Sequence, residues 1–326
     1  MLPIMSRNLC ASMLAAMLIA FALPAWAQTY PSGSVHLIVA YAPGGTGDVV
    51  ARIVAPKLST GLGQTVVVEN RAGASGAIGA RSVVAAPPDG LTLLLGQTAE
   101  VAINQHWLKG LNYDPDKDLQ PVALLTVVPL ALVVPAKAPY STMAEFLAAL
   151  KTGKLTFASA GTGTPGHFAG ELLKAKTKGN LTHVPYKGAG PALNDLLGGH
   201  VDLYFPGMPA AMPLLKNGLV KVLGVSSAKR SAIAPDVPTV AEAAAIKDFS
   251  FTLWQGIFAP RGTSPAVIAR LNTEINKVLN DPETKKKLVD LGAEVEAMSV
   301  DQFRGFVNTE SSKYLRTIKE TGVTAE

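Results

Sequence analysis

One cysteine occurs in 326 residues, Cys10, and it lies inside an apolar N-terminal run that reads as a removable leader. The chain beyond residue 27 holds none. Disulfides, thiolate metal sites and a cysteine nucleophile are therefore excluded from the mature part. Charge is also scarce, at 16% of residues against 48% hydrophobic. Setting aside Arg7 leaves 28 basic residues (29 minus 1) against 24 acidic, a net charge of about +4 that attracts small anions weakly. No basic stripe with interleaved aromatics is present, which argues against nucleic acid as a partner, and Lys285-Lys286-Lys287 reads as a solvated helix face. After residue 27 no apolar run long enough to span a bilayer escapes interruption by proline, glycine or charge. His36, His106, His167, His183 and His200 show no metal-ligand spacing, so no metal and no cofactor are expected.

Residues 1–27 have the three parts of a secretory signal: Arg7, the apolar run 9–23, and Ala25-Trp26-Ala27 as the cleavage site. Cleavage after Ala27 is the expectation. A retained anchor fits Pro24 and the small residues less well, and Cys10 does not follow a lipobox. About 299 residues remain (326 minus 27), enough for two domains of ordinary size.

An alternation of short apolar strands and helical spacings follows. Strands are expected at 35–40, 65–69 and 92–96, with helices at 48–58 and 76–86, and this order argues for a largely parallel α/β sheet. The apolar run 124–134, broken at Pro129, would carry the chain into a second set. That set has strands at 155–160, 182–185, 201–205 and 220–226 and helices at 143–150, 166–176, 191–197 and 209–217. The run 251–259 is the natural return crossing. Helices at 265–279, 282–291 and 300–321 are marked by Ser264, Asp281 and Ser299 as caps.

Two Gly/Thr-rich segments each connect a strand to a helix: Tyr41-Ala-Pro-Gly-Gly-Thr-Gly-Asp48 and Ala158-Ser-Ala-Gly-Thr-Gly-Thr-Pro-Gly-His167. A helix N-terminus offers unsatisfied N–H groups and partial positive charge, and glycines allow an oxyanion to approach the backbone. Both segments thus read as anion cradles, and two of them suggest a ligand held between two halves. Gly161 to Gly166 is a literal G-x-G-x-x-G, yet the acidic residue about twenty positions on that a dinucleotide site needs is missing. The motif also lies mid-chain, and an exported protein is removed from the pool of reduced nicotinamide cofactors. A small-anion cradle and a purely structural turn remain. The first segment lacks the lysine of a phosphate loop, so a carboxylate fits it better; Asp48 is either a cap or a ligand contact. Gly73-Ala-Ser75-Gly76-Ala77 fails the nucleophile pattern at its last position, leaving Ser75 as a turn residue. His167 is a cap or a wall of the site, and no partner nucleophile makes it a general base.

Taken in order, Tyr41 to Asp48, Val68 to Ala77, Pro87 to Leu94, Val184 to Gly188, Gly198 to Asp202, Asp236 to Thr239 and Trp254 to Pro260 resemble the Bug family, the periplasmic receptors of tripartite tricarboxylate transporters. The resemblance covers essentially the whole mature chain. It implies a two-lobed periplasmic-binding fold of type II-like plan, each lobe a mixed, mostly parallel sheet flanked by helices, with 28–133 plus 255–326 in one lobe and 134–254 in the other. It further implies that the two loops hold one ligand carboxylate: Gly44, Thr46 and Asp48 on one side, with Ser159, Gly161, Thr162 and Thr164 opposite. Tyr41 and Gly45 of the first loop and His167 after the second are further candidate ligand contacts. Where the family commonly has small polar residues or a histidine, this chain has Gln97-Thr-Ala-Glu100. A Glu100 facing the cleft would repel a second ligand carboxylate; a Glu100 on the following helix surface would not. Tyr186 and Trp254 are either aromatic walls or core. The expected function is a non-enzymatic, monomeric receptor that closes over a small organic acid and engages membrane permease subunits. An exported hydrolase or isomerase of small acids, or a sensing receptor uncoupled from transport, are the alternatives.

Overall fold

The computed structural model describes residues 30–325, so the expected leader and its cleavage point lie outside the described residues. Two five-stranded sheets organise the chain. The first holds β1 (Val35–Val39), β2 (Val66–Asn70), β3 (Thr92–Gln97), β4 (Leu119–Pro129) and β10 (Thr252–Pro260), in the order β2-β1-β3-β10-β4. The second holds β5 (Ala131–Pro135), β6 (Leu155–Ser159), β7 (Leu181–Pro185), β8 (Leu203–Tyr204) and β9 (Val220–Val225), in the order β7-β6-β8-β5-β9. In each sheet three parallel strands are followed by one that runs against its neighbours, β10 in the first and β5 in the second. Both of these antiparallel strands directly follow a crossing between sheets.

The apolar run 124–134 is two strands rather than one. It divides at Leu130, where β4 ends at Pro129 and β5 starts at Ala131. The changeovers expected at 133/134 and 254/255 therefore fall inside β5 and β10. Pairing sets the difference: Ala131 already lies opposite Val225 in the second sheet, and Thr252 lies opposite Pro129 in the first. Ser226 joins the two crossings. Its N–H donates to Leu130 O at 2.8 Å, its hydroxyl accepts from Leu130 N at 2.9 Å and donates to Phe251 O, and Phe251 N donates to Ser226 O.

The helices are α1 (Thr46–Leu62), α2 (Ala77–Val84), α3 (Asn104–Trp107), α4 (Pro115–Asp118), α5 (Met143–Thr152), α6 (Pro165–Thr177), α7 (Ala189–Gly198), α8 (Met208–Lys216), α9 (Val240–Ala244), α10 (Pro265–Asn280), α11 (Pro282–Asp290) and α12 (Val300–Thr321). Ser264, Asp281 and Ser299 each accept a first-turn N–H from α10, α11 and α12, as their side chains and the prolines behind two of them anticipate. The helix weighed after β3 as one place for Glu100 is present as a π-helical turn, Ala99–Ile103, that runs into α3; its bounds and its π geometry were not anticipated.

α12 bridges the sheets. Its Phe303 packs on Trp254 and Phe258 of β10, while Tyr314 packs on Phe168 of α6 and on Phe251. α6 in turn sits tightly on β6, because a Cβ at Gly170 would come within 2.1 Å of the Phe157 ring. That close approach fixes the strand end and helix start that carry the second loop.

Candidate functional site

The first loop leaves β1 and turns through Gly44, whose φ of 81° is a left-handed conformation open to glycine. α1 then begins with Gly45 as an N-cap that has no side chain to offer. The first intrahelical bond runs from Val49 N to Gly45 O, so the N–H groups of Thr46, Gly47 and Asp48 are the orphan donors of this terminus. Asp48 is engaged in holding the loop. Its carboxylate accepts from Gly44 N at 2.9 Å and from Arg52, with Arg52 reaching on to Asn70 and Asn70 donating to Tyr41 O. Burial would raise its pKa, but hydrogen bonds from Arg52, Gly44 and Asn70 outweigh that effect and hold it below the usual carboxylate value.

The second loop leaves β6 at Ser159 and opens α6 at Pro165. Thr164 is the N-cap, but its hydroxyl donates back to Gly161 O at 2.7 Å instead of capping the helix. The first intrahelical bond, Phe168 N to Thr164 O, leaves Gly166 N and His167 N as orphan donors. Ser159 is fully buried; its hydroxyl lies 2.9 Å from Gly161 O and 2.7 Å from His183 Nε2. Both contacts are satisfied when Ser159 donates its one proton to Gly161 O and His183 Nε2–H donates to the Ser159 oxygen. His167 Nδ1 accepts from Gly163 N at 3.2 Å, which puts its proton on Nε2. The two imidazoles stack 4.0 Å apart, with Phe157 against His183. Burial pushes His167 down to about 3, helped by His183 and Lys174, and pushes His183 down to about 4. Both rings are neutral supports beneath the loop.

Across the seam, each loop meets a different element. Ser75 Oγ donates to Thr162 O at 2.8 Å, and Asn104 Nδ2 donates to Ser75 O at 2.9 Å. Trp107 packs edge-on to His167 and Phe168, and its ring is 2.9 Å from where a Cβ at Gly163 would sit. On the other side, Thr46 Oγ1 is 3.5 Å from the position of a Cβ at Gly207, the residue that opens α8. Ser75 and Trp107 at the seam, Asn104 behind Ser75 and His183 beneath the second loop were thus missed. Ser75 had a local signal, the Gly73-Ala-Ser-Gly76 turn, in which Ala74 and Ser75 both take positive φ. Asn104 and Trp107 had none, since they sit on a helical stretch whose extent the sequence did not define.

Glu100, Trp254 and Tyr186, whose roles the sequence left open, take definite places. Glu100 is fully buried rather than exposed on the cleft or helix surface: Oε2 accepts from Tyr41 Oη at 3.0 Å and Oε1 from Gln97 N at 2.7 Å. Burial raises its pKa to about 8, which favours the protonated form at neutral pH and, with the side chain withdrawn from the surface, weakens any repulsion of a second carboxylate. Trp254 is 0% exposed and lies among Phe258, Phe303 and Phe306 in the first sheet's core, so it forms no wall. Tyr186 adjoins the second loop through its backbone, with Tyr186 N donating to Ser159 O, while its hydroxyl turns to Asp195 of α7 at 2.6 Å. Desolvation and that bond push the phenol up to about 12.

The arrangement presents N–H dipoles and hydroxyls rather than cations, since the nearby Arg52 is spent on Asp48. No His, Cys, Asp or Glu cluster able to hold a metal occurs among the described residues.

Residues 50–323 match the family model described as tripartite tricarboxylate transporter family receptor. BugT of Bordetella pertussis is 36% identical over 304 residues, covering 92% of this chain and 93% of that protein. A protein of R. palustris solved with adipate superposes with a TM-score of 0.87 at 34% identity, over 90% of this chain and 99% of the other. MatC of Rhodopseudomonas palustris, solved with bound malate, gives 0.82 at 34% identity, over 89% and 100%.

Proposed function

This chain belongs to the tripartite tricarboxylate transporter receptor family, and from that membership we propose that it captures a small dicarboxylate between two lobes and presents it to membrane permease subunits. The observation that carries the reading is the pair of glycine loops at the ends of β1 and β6, each opening a helix whose first N–H groups lack intrahelical acceptors, on either side of one seam. Such termini bind carboxylates through oriented dipoles without a cation. The relatives solved with adipate and malate support an acid of four to six carbons as the ligand. On this reading Thr46 and Gly47 of the first loop and Thr162, Gly166 and His167 of the second supply the N–H contacts, while Gly44, Gly45, Asp48, Ser159, Gly161 and Thr164 shape the loops. The lobes are 30–129 with 252–325, and 131–251.

We further assign the protein as a non-catalytic monomer exported to the periplasm. The leader-like sequence 1–27 supports export, and no described helix is long and apolar enough to cross a membrane. Two serine–histidine pairs occur among the hydrogen bonds of the described residues: Ser159 with His183 beneath the second loop, and Ser311 with His106 between α12 and α3. Ser159 has no exposed surface and its proton serves Gly161 O, which argues against it as a nucleophile.

A thermal-shift screen of mono-, di- and tricarboxylates, amino acids and sugars tests the reading. Ligand at about a hundred times its Kd adds about 2.7 kcal/mol to the native state, a rise easily measured. A dicarboxylate recovered unchanged after incubation is the expected result. Stabilisation by sugars alone, or turnover of the acid, would overturn it.

A further inference from the structure

A second charged concavity lies away from the seam, where α6, the turn at 245–250 and the last turns of α12 meet. Its volume is about 670 Å³, and it is lined by Lys176, Lys247, Lys313 and Arg316 against Asp248 and Glu320. An adjoining cavity of about 460 Å³ shares Lys176, Lys247 and Asp248 and adds Lys151. Lys176 is paired with Glu320 and Lys313 with Glu310. Lys247 and Arg316 make no ion pair among the described residues, and both are exposed. The turn between the cavities holds two non-glycine residues in the left-handed region, Ala245 at φ 54° and Asp248 at φ 62°. Ala245 is the left-handed C-cap that ends α9, and Asp248 closes the turn that presents Lys247.

We propose that this groove is a docking site for an acidic segment of a membrane partner protein, whose carboxylates pair with Lys247 and Arg316. The proposal rests on the receptor reading above, since a receptor that delivers its ligand must touch a membrane protein. Charge complementarity is the argument for the occupant. Of the four cations lining the larger cavity Lys176 and Lys313 are paired, and the two left free among the described residues, Lys247 and Arg316, are long, exposed side chains that outnumber the one unpaired carboxylate, Asp248. Such groups lack the fixed geometry that orients a small molecule but suit electrostatic steering between proteins. A flat lipid surface fits less well, because the charges line a concavity. The placement separates docking from ligand capture. α12 also links the groove to both lobes, with Phe303 packed on the first sheet and Tyr314 on the second lobe's α6.

The test uses fluorescence anisotropy of a labelled octaglutamate peptide, with an octaglutamine peptide and phosphatidylglycerol vesicles as comparisons. The variant is the double reversal Lys247→Glu/Arg316→Glu. The control, Lys216→Glu/Lys285→Glu, changes net charge equally. Expected are a loss of peptide affinity of about tenfold in the variant, about twofold or less in the control, and an unchanged melting temperature and carboxylate-induced shift in both. Equal losses in variant and control, an unaffected variant, or vesicle binding without peptide binding would overturn the proposal. Absence of any carboxylate shift in the wild-type protein would instead count against the receptor reading and leave the peptide result to be judged on its own.

Discussion

Burial favours the protonated form of Glu100 at neutral pH, its carboxyl being enclosed beside Gly76, Tyr41 and the backbone of Gln97, so that its pKa is raised from 4.5 to about 8. The unfolded chain releases that proton near pH 4.5 and the folded chain near pH 8. Stability from this group is therefore complete below about 4.5 and is lost as pH rises through about 8. Glu100→Gln keeps an acceptor for Gln97 N and removes the titration. Chemical denaturation between pH 6 and 9 is expected to show a flatter profile for the variant, with a gain over wild type at pH 9, and an unchanged preference among acids. His167 and His183 act in the opposite direction. Their pKa values are depressed by burial, so the folded state gains from them above about pH 6.5 and loses that gain as pH falls toward 3 to 4. His167→Asn with His183→Gln keeps an acceptor near Gly163 N and a donor near Ser159, and should reduce the loss of melting temperature between pH 7 and 4.5.

Ser226 shows how much of an element's geometry rests on one hydroxyl. It satisfies Leu130 N and Phe251 O where the chain crosses between sheets, and Ser226→Ala would leave both buried groups without partners. At about 1–3 kcal/mol for each unsatisfied group, partly relieved by relaxation, a destabilisation of about 2–4 kcal/mol is expected from denaturant titration. An unchanged midpoint would mean that neither bond matters. This clasp could not be read from the sequence, because a lone serine after an apolar strand has no pattern. By contrast, the strand-loop-helix units at β1 and β6 were legible from hydrophobic period and glycine content, and the caps of α10, α11 and α12 from Ser/Asp followed by helical spacing. The positions of Glu100 and Trp254 were not, since a residue's inward or outward direction depends on which face its neighbours cover. Glu100 lies on the π-helical turn, where the ordinary helical period fails.

At the scale of the molecule, α12 ties the lobes together through Tyr314 on Phe168 and Phe251, while beside the glycine loops the seam is crossed by Ser75 on Thr162 and by Trp107 against the second loop, with Asn104 holding Ser75 from its own lobe. Trp107→Ala removes an aromatic filler that costs about 3–5 kcal/mol when truncated in a core, and much of that loss falls on the contact between lobes. Small-angle scattering is expected to show compaction of the wild-type protein with a saturating dicarboxylate and less compaction in the variant, alongside weaker binding. Equal compaction would place the closing energy elsewhere. The topology also dictates an order of assembly. The second sheet is complete once residue 225 has been synthesised, whereas the first waits for β10, which slots between β3 and β4. Until residues 252–260 arrive, the amino-terminal lobe carries two open strand edges, of the kind that invite pairing with other chains. A growing or prematurely terminated chain can therefore finish its middle before its beginning, and its earliest-made part needs shielding for longest.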